Sequence, residues 1–182
     1  MNNITPITPA STPASNPYAA EFGFGFELHS EILPGLWQGG THDEDVITAG
    51  YALRRITKGE FDSVVTLYAR ANAASWNVKE IRYGFDDGDM SDFDAEADLA
   101  FAVREAHADW KAGKRVLIRC QAGLNRSGLV MALVLIRDGY SPAAAIARIR
   151  AKRGPNALCN WVFENWLESK ANLSFWRVQE AA

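Results

Sequence analysis

A chain of 182 residues has room for one domain with a substantial core, and not for two of ordinary size. Its composition, 48% hydrophobic and 23% charged with a net charge of −3, is that of a soluble globular protein and argues against a nucleic-acid binder, whose phosphate contacts demand a basic surplus. No apolar run is long enough to span a membrane, the N-terminus lacks the basic-then-apolar order of a signal peptide, and two cysteines do not make a secreted disulfide framework; a cytoplasmic, reducing setting is expected.

Residues 1–20, rich in Thr, Pro, Ser and Asn and without apolar periodicity, are expected to form a disordered tail ahead of a single domain over 21–182. Order is expected to begin near Phe22–Phe26. Glu31 to Trp37 predicts a strand broken by a Pro34-Gly35 turn. Val46, Ala49, Leu53 and Ile56 recur at helical spacing and predict a helix over 43–57. Phe61 to Leu67 predicts a buried strand, and Val78 to Phe85 another, after which the chain turns acidic at Asp86, Asp87, Asp89, Asp92 and Asp94. Leu99, Ala102, Val103, Ala106 and Trp110 then share one face of a helix that Ser91 or Asp92 caps and Gly113 ends. Arg115 to Ile118 predicts a central strand. The nearly all-apolar run from Ser127 to Asp138 predicts a helix buried in the middle of the domain, and Gly139 stops it. Ser141-Pro142 opens a further helix to Arg153, with Ser as cap and Pro in the first turn, and a last helix is expected over 160–169. Strands alternating with helices predict a three-layer α/β domain on a mostly parallel sheet flanked by helices.

The stretch from Cys120 to Arg126 carries the chemistry. A strand ends, a short loop turns and an apolar helix begins, so successive backbone N–H groups form an anion nest backed by the partial positive charge of a helix N-terminus. Gly123 frees the backbone to turn. Gln121, Ala122, Gly123, Leu124 and Asn125 supply the phosphate-binding amides, and Arg126 adds a planar fork for two phosphate oxygens, which a lysine does not offer. The same field favours the thiolate of Cys120, a nucleophile aimed at a bound phosphoryl group. The Ser127 hydroxyl is placed to hydrogen-bond the sulfur as it leaves. A buried cysteine, a turn glycine and a surface arginine would be the bland alternative. The preceding strand, the spacing of Gly123 and Ser127 and the apolar helix beyond favour the phosphate loop.

Cys120-Gln-Ala-Gly-Leu-Asn-Arg126-Ser127 resembles the signature loop of the protein tyrosine phosphatase superfamily, most closely its dual-specificity branch. The resemblance runs from Ile32 to Leu167: Ile32-Leu33-Pro34-Gly35-Leu36-Trp37-Gln38-Gly39 is similar to the opening strand, Phe61 to Leu67 to the second strand, and Arg148 to Gly154 and Asn160-Trp161-Val162-Phe163 to the segments after the loop. It implies a dual-specificity-phosphatase-like fold and a metal-free, cofactor-free phosphatase working through a phosphocysteine. One departure matters: Arg119 stands where the family has a histidine that orients the loop and favours the thiolate, and a fixed positive charge there is expected to favour the thiolate too.

The leaving oxygen needs a proton, and the resemblance implies an Asp from a loop after the preceding strand. Asp87-Gly88 best matches the family's Asp-Gly pair, with Asp86 and then Asp89 as the other candidates and Asp92 as a helix cap. Asp87-Gly88-Asp89-Met90-Ser91 also faintly resembles the Asp-x-Asp loop of haloacid-dehalogenase-type phosphatases. That loop opens its own fold near the N-terminus, however, and would leave the Cys120 loop unexplained. The acidic run does not match a calcium loop, and no His/Cys spacing resembles a zinc site.

Elsewhere, His42 and His107 are expected to be solvated or capping, and His29 has no partner identifiable from sequence. Cys159 is expected to be a buried bystander rather than a partner of Cys120. Trp161 and Trp166 are expected to pack on the sheet, and Arg148, Lys152 and Arg153 to form a solvated helix face, with a basic rim near the site as the alternative. A loop without lysine beside acidic residues favours a modestly charged phosphomonoester over a polyanionic phosphoinositide. The expected substrate is therefore a phosphorylated protein or peptide, phosphotyrosine first, with phosphoserine and phosphothreonine open. Two alternatives are a pseudophosphatase that binds phosphorylated partners without turnover, for which Arg119 is the sole sequence argument, and a small-molecule phosphatase acting on a nucleotide or inositol phosphate. Oligomeric state is left open.

Overall fold

The structure, a computed structural model, describes residues 27–88 and 96–170, with the side chains of Glu96, Ala97 and Lys170 left aside. The expected tail, the start of order at Phe22–Phe26 and the candidates Asp89, Ser91, Asp92 and Asp94 lie outside the described residues. Among the described residues, no helix is long and apolar enough to cross a membrane.

The elements follow in the order β1 (His29–Leu33), β2 (Leu36–Gly39), β3 (Ser63–Thr66), β4 (Lys79–Arg82), α1 (Glu96–Lys111), β5 (Val116–Arg119), α2 (Arg126–Arg137), α3 (Pro142–Arg153) and α4 (Trp161–Lys170). The five strands form one sheet in the order β1-β2-β5-β3-β4. β1 and β2 are an antiparallel hairpin, and the other pairings are parallel. The hairpin turns at Pro34-Gly35, where Gly35 has φ +79°, and the Trp110 indole N–H donates to the Pro34 carbonyl at 2.9 Å. Ser141 caps α3 by accepting from the Ala144 N–H at 3.2 Å, as the Ser-Pro pair predicts.

Alternation along the strands divides the core. Val116 and Ile118 of β5, with Ile32, Leu36 and Val65, face α2, where every residue from Ser127 to Ile136 is buried, and the apolar sides of α1, α3 and α4 close over them. Leu117 and Val64 face the other way, against Trp37, Ile56, Phe61, Ala74 and Val78. At roughly 1.5–3 kcal/mol for each large apolar side chain, the α2 face is the larger source of stability. α2 is thereby fixed end-on behind the Cys120 loop.

The helix expected over 43–57 does not form. A three-residue 3-10 turn at Asp43–Asp45 is followed by isolated bridges, Val46 to Ala71 and Thr48 to Tyr51. Gly50 has φ +88° and Ala49 φ +51°. The apolar residues at helical spacing do not share a face: Ile56 is fully buried while Leu53 is 78% exposed. Glycine in mid-stretch and competition from the backbone of the Ala71 segment outweigh the periodicity. Trp161 is also a correction, being 70% exposed; it starts α4 on the outer side, while Phe163 turns inward and Trp166 packs half-buried against the core.

The connection into β3 is pinned by Arg115, which donates from its backbone N–H and Nε to Asp62 Oδ2 at 2.9 and 3.1 Å, and from Nη1 and Nη2 to the carbonyls of Gly59 and Lys58. These Arg115 bonds hold the Asp62 carboxyl well below the usual carboxylate range. A depressed carboxylate stabilises the fold above its unfolded value of 3.8, and that stability is lost as pH falls below it. Asp62→Asn is therefore expected to cost about 1 kcal/mol at neutral pH, modest because the pair is partly exposed. Urea unfolding at neutral pH, repeated in acid where the difference from wild type should shrink, checks this.

Candidate active site

The Cys120 loop lies at the carboxyl end of the central strand β5, where ligand crevices of open α/β sheets form. Five successive carbonyls of the loop are engaged from outside it. The Cys120 carbonyl accepts from Thr41 Oγ1 at 2.9 Å and that of Gln121 from the Thr41 N–H at 2.9 Å. The Ala122 carbonyl accepts from Arg153 Nη2 at 3.3 Å, and that of Gly123 from Gln38 Nε2 and Arg153 Nε, both at 3.1 Å. The Leu124 carbonyl accepts from Gln38 Nε2 at 3.3 Å and the Leu158 N–H at 3.2 Å. In a trans peptide the N–H points opposite to the C=O, so this outward set turns the amides from Gln121 to Asn125 toward the inside of the loop. The N–H groups of Ala122 to Asn125 make no backbone hydrogen bond among the described residues. Gly123 has φ +76°, and a Cβ on it would fall 2.3 Å from Gly39 C and Gly40 N; the loop closes only with glycine there.

Cys120 sits at the loop's start, 1% exposed, with Sγ 3.4 Å from the buried Ser127 Oγ. Arg126 is the first residue of α2. Its Nη1 donates to the carbonyls of Leu67 and Phe85 at 3.2 and 3.3 Å, which hold it between the ends of β3 and β4, and the guanidinium lies 5.8 Å from the Tyr68 ring centroid. Its Nε is buried and has no acceptor among the described residues. A donor buried without a partner costs free energy, and an anion in the loop would satisfy it.

Asp87 is exposed and reaches the loop through two amides: Asn125 Nδ2 lies 3.4 Å from Oδ2, and Asn160 Nδ2 lies 3.3 Å from Oδ1 and 3.1 Å from the Gly88 carbonyl. Asn125 Oδ1 in turn accepts from the Asn160 N–H at 3.0 Å. Asp86 is exposed, with no such tie to the loop among the described residues. Cys120, Ser127, Arg126 and Asp87 are thus brought to one end of the sheet. Both cysteines are free, and Cys159 is exposed rather than buried, with Sγ 3.4 Å from Asn125 Oδ1.

Arg119 does not face the thiol. It follows Ile118 on the opposite face of β5, fully buried, with Nε donating to Thr66 Oγ1 at 3.0 Å and Nη2 to the Asn72 carbonyl at 2.6 Å. Its charge is met by Glu80 at 3.5 Å and Asp45 at 3.6 Å. Asp45 also pairs with Arg54 at 2.7 Å, and Arg54 with Glu60. Burial lowers the Arg119 pKa and raises that of Asp45, each against the pull of its partners. The expectation that this cation favours the thiolate is corrected: strand alternation spends it on a buried network that ties β5 to β4 and the 43–45 turn. Removing one partner of such a network is costly. Arg119→Ala is expected to destabilise the fold by about 3 kcal/mol, and Asp45→Asn in the same chain should recover part of the loss, as chemical denaturation of the cycle would show.

Arg153 is the second correction. In place of a solvated helix position it is fully buried under the loop. Nothing in the sequence tied Gln38 or Thr41 to the loop, and Arg153 was open only as part of a basic rim near the site. The single hint was Gln38, a polar residue inside an apolar strand. His29 packs edge-on against Phe61 at 5.4 Å and lies beneath Gly39; burial, then the field of Arg153, brings its pKa down to about 3, so it is neutral. His42 caps the 43–45 turn, accepting from the Glu44 N–H at 3.1 Å. His107, expected to be solvated or capping, is instead buried and pairs with Asp138 at 3.1 Å.

No family model matches the chain, and no curated protein matches it. Solved structures do. Human DUSP28 superposes with a TM-score of 0.60 at 21% identity, over 80% of this chain and 95% of that one. DUSP15 gives 0.62 at 19%, over 80% and 88%. Kinase associated phosphatase, with its catalytic-site cysteine substituted by serine, gives 0.58 at 19%, over 75% and 85%. By these superpositions, the chain has a dual-specificity-phosphatase-like fold.

Proposed function

We propose that the chain is a cysteine-dependent phosphomonoester hydrolase. The observation that carries it is the loop itself: five carbonyls turned outward, a buried thiol against Ser127 Oγ, and a buried Arg126 Nε awaiting an acceptor. In the first step Cys120 Sγ attacks phosphorus, the S–P bond forms and the P–O bond to the leaving group breaks. The inward amides and Arg126 hold the phosphoryl oxygens, and protonated Asp87 gives its proton to the departing oxygen. In the second step water attacks the phosphocysteine, Asp87 takes a proton from it, and the S–P bond breaks with the Ser127 hydroxyl hydrogen-bonding the departing sulfur.

A loop without lysine, flanked by the exposed carboxylates of Asp86 and Asp87, favours a phosphorylated protein or peptide, phosphotyrosine first, over a polyanion. The need for a reduced Cys120 favours a reducing compartment such as the cytoplasm. The test is turnover of p-nitrophenyl phosphate by the wild type: it should persist in EDTA, stop on alkylation with iodoacetamide, and be protected from alkylation by inorganic phosphate. Alkylation of Cys120 without any prior turnover would point to a binding protein instead.

A further inference from the structure

The loop's supports leave one task without an owner. The family's histidine is replaced by Arg119, and Arg119 is committed to Asp45 and Glu80 on the far face of the sheet. We propose that Arg153 is a positioning residue of the active site: from the last turn of α3 it grips the loop's outward carbonyls and holds the phosphate-binding amides in place.

Arg153 is among the largest fully buried side chains of the protein. Taking a guanidinium out of water is costly unless its donors are used, and here they are. Nε and Nη2 reach the successive carbonyls of Gly123 and Ala122 at 3.1 and 3.3 Å. Nη1 reaches the Glu27 carbonyl at 2.6 Å and Ser30 Oγ at 3.1 Å. One planar fork therefore joins the loop to the start of β1 and fixes the two central peptides that define the nest. A lysine has the charge but not the fork.

The position suits a cation, since it closes α3 at the negative end of the helix dipole. Burial brings its pKa down to about 10, against the fields of Cys120 and Glu27, so it is charged at neutral pH. Among the described residues, the charged or titratable groups near the loop include Arg126 on α2, Asp87 before α1, Glu27, Cys159 beside Asn125, neutral His29 on β1, and Arg119, whose charge is met elsewhere.

This rests on the phosphatase reading only in taking Cys120 as the nucleophile, and it is tested without turnover. Iodoacetamide labelling of the Cys120 peptide is followed by mass spectrometry in wild type, Arg153→Gln, Arg153→Lys and Arg119→Gln, with inorganic phosphate as the protecting probe. Arg153→Gln should need about tenfold more phosphate than wild type to protect Cys120, and Arg119→Gln should be protected as in wild type. Arg153→Lys, which keeps the charge but lacks the fork and serves if the Gln variant does not fold, should also need about tenfold more phosphate for protection. Wild-type phosphate protection in folded Arg153→Gln or in Arg153→Lys, or weakened protection in folded Arg119→Gln, would each overturn the proposal. The expected shifts in a protein that does not hydrolyse p-nitrophenyl phosphate would support it while overturning the phosphatase reading.

Discussion

Replacing Cys120 with serine is expected to remove p-nitrophenyl phosphate turnover, a loss on the order of 10⁴-fold or more. The swap changes one atom at a site 1% exposed and keeps a polar group within reach of Ser127, so the fold should hold. The nucleophile is what changes. A serine hydroxyl stays protonated in this field, and no general base adjoins Cys120 among the described residues to activate it, since Sγ faces the Ser127 hydroxyl. The amide nest and Arg126 are untouched, so Cys120→Ser should still bind inorganic phosphate. Steady-state turnover with a thermal melt and a phosphate titration separates these effects. Turnover near the wild-type level would move the nucleophile elsewhere in the chain.

The second large effect concerns the acid. Asp87→Asn is expected to lower kcat on phenyl phosphate by about 10²-fold or more, and to affect 2,4-dinitrophenyl phosphate far less, because that leaving group departs without a proton. The geometry gives the reason for choosing Asp87: each carboxylate oxygen meets a side-chain amide, one from the loop at Asn125 and one from the entry to α4 at Asn160. Those two amides are themselves joined, so the acid is registered to the loop it serves. Asn160→Ala should show the same leaving-group signature at smaller size, as a residue that orients the acid. If Asp86→Asn or Asp89→Asn carries the leaving-group dependence and Asp87→Asn does not, the acid is reassigned.

Serine beside the thiol and Asn125 beside the acid also explain why the signature stretch was legible before any fold was known. Strand, turn and helix follow one another there without interruption, and each is set by short-range physics: β-branched and apolar residues at 116–118, a glycine where φ must be positive, and an apolar run of helical length. The hairpin at Pro34-Gly35 and the Ser141-Pro142 cap were legible on the same grounds. The stretch over 43–57 shows the limit. Its apolar spacing was helical, yet Val46 pairs with Ala71, and the buried carboxylate of Asp45 turns toward Arg54 and Arg119.

By itself, the sequence determined the alternation of elements, the strand–loop–helix stretch that carries Cys120 and Arg126, and the acidic run at Asp86 and Asp87, because those are properties of contiguous residues. Tertiary structure alone decided which arginine braces the loop. Arg119 is adjacent to Cys120 in the chain, but the period of two along a strand sends it to the opposite face. Arg153 lies far along the chain, yet the packing of α3 against the β1 side of the sheet brings its fork under Ala122 and Gly123. Gln38 and Thr41 are engaged in the same way, through the parallel pairing of β2 with β5. Contacts of that span arise only when separate elements dock, and no local pattern in the chain encodes them.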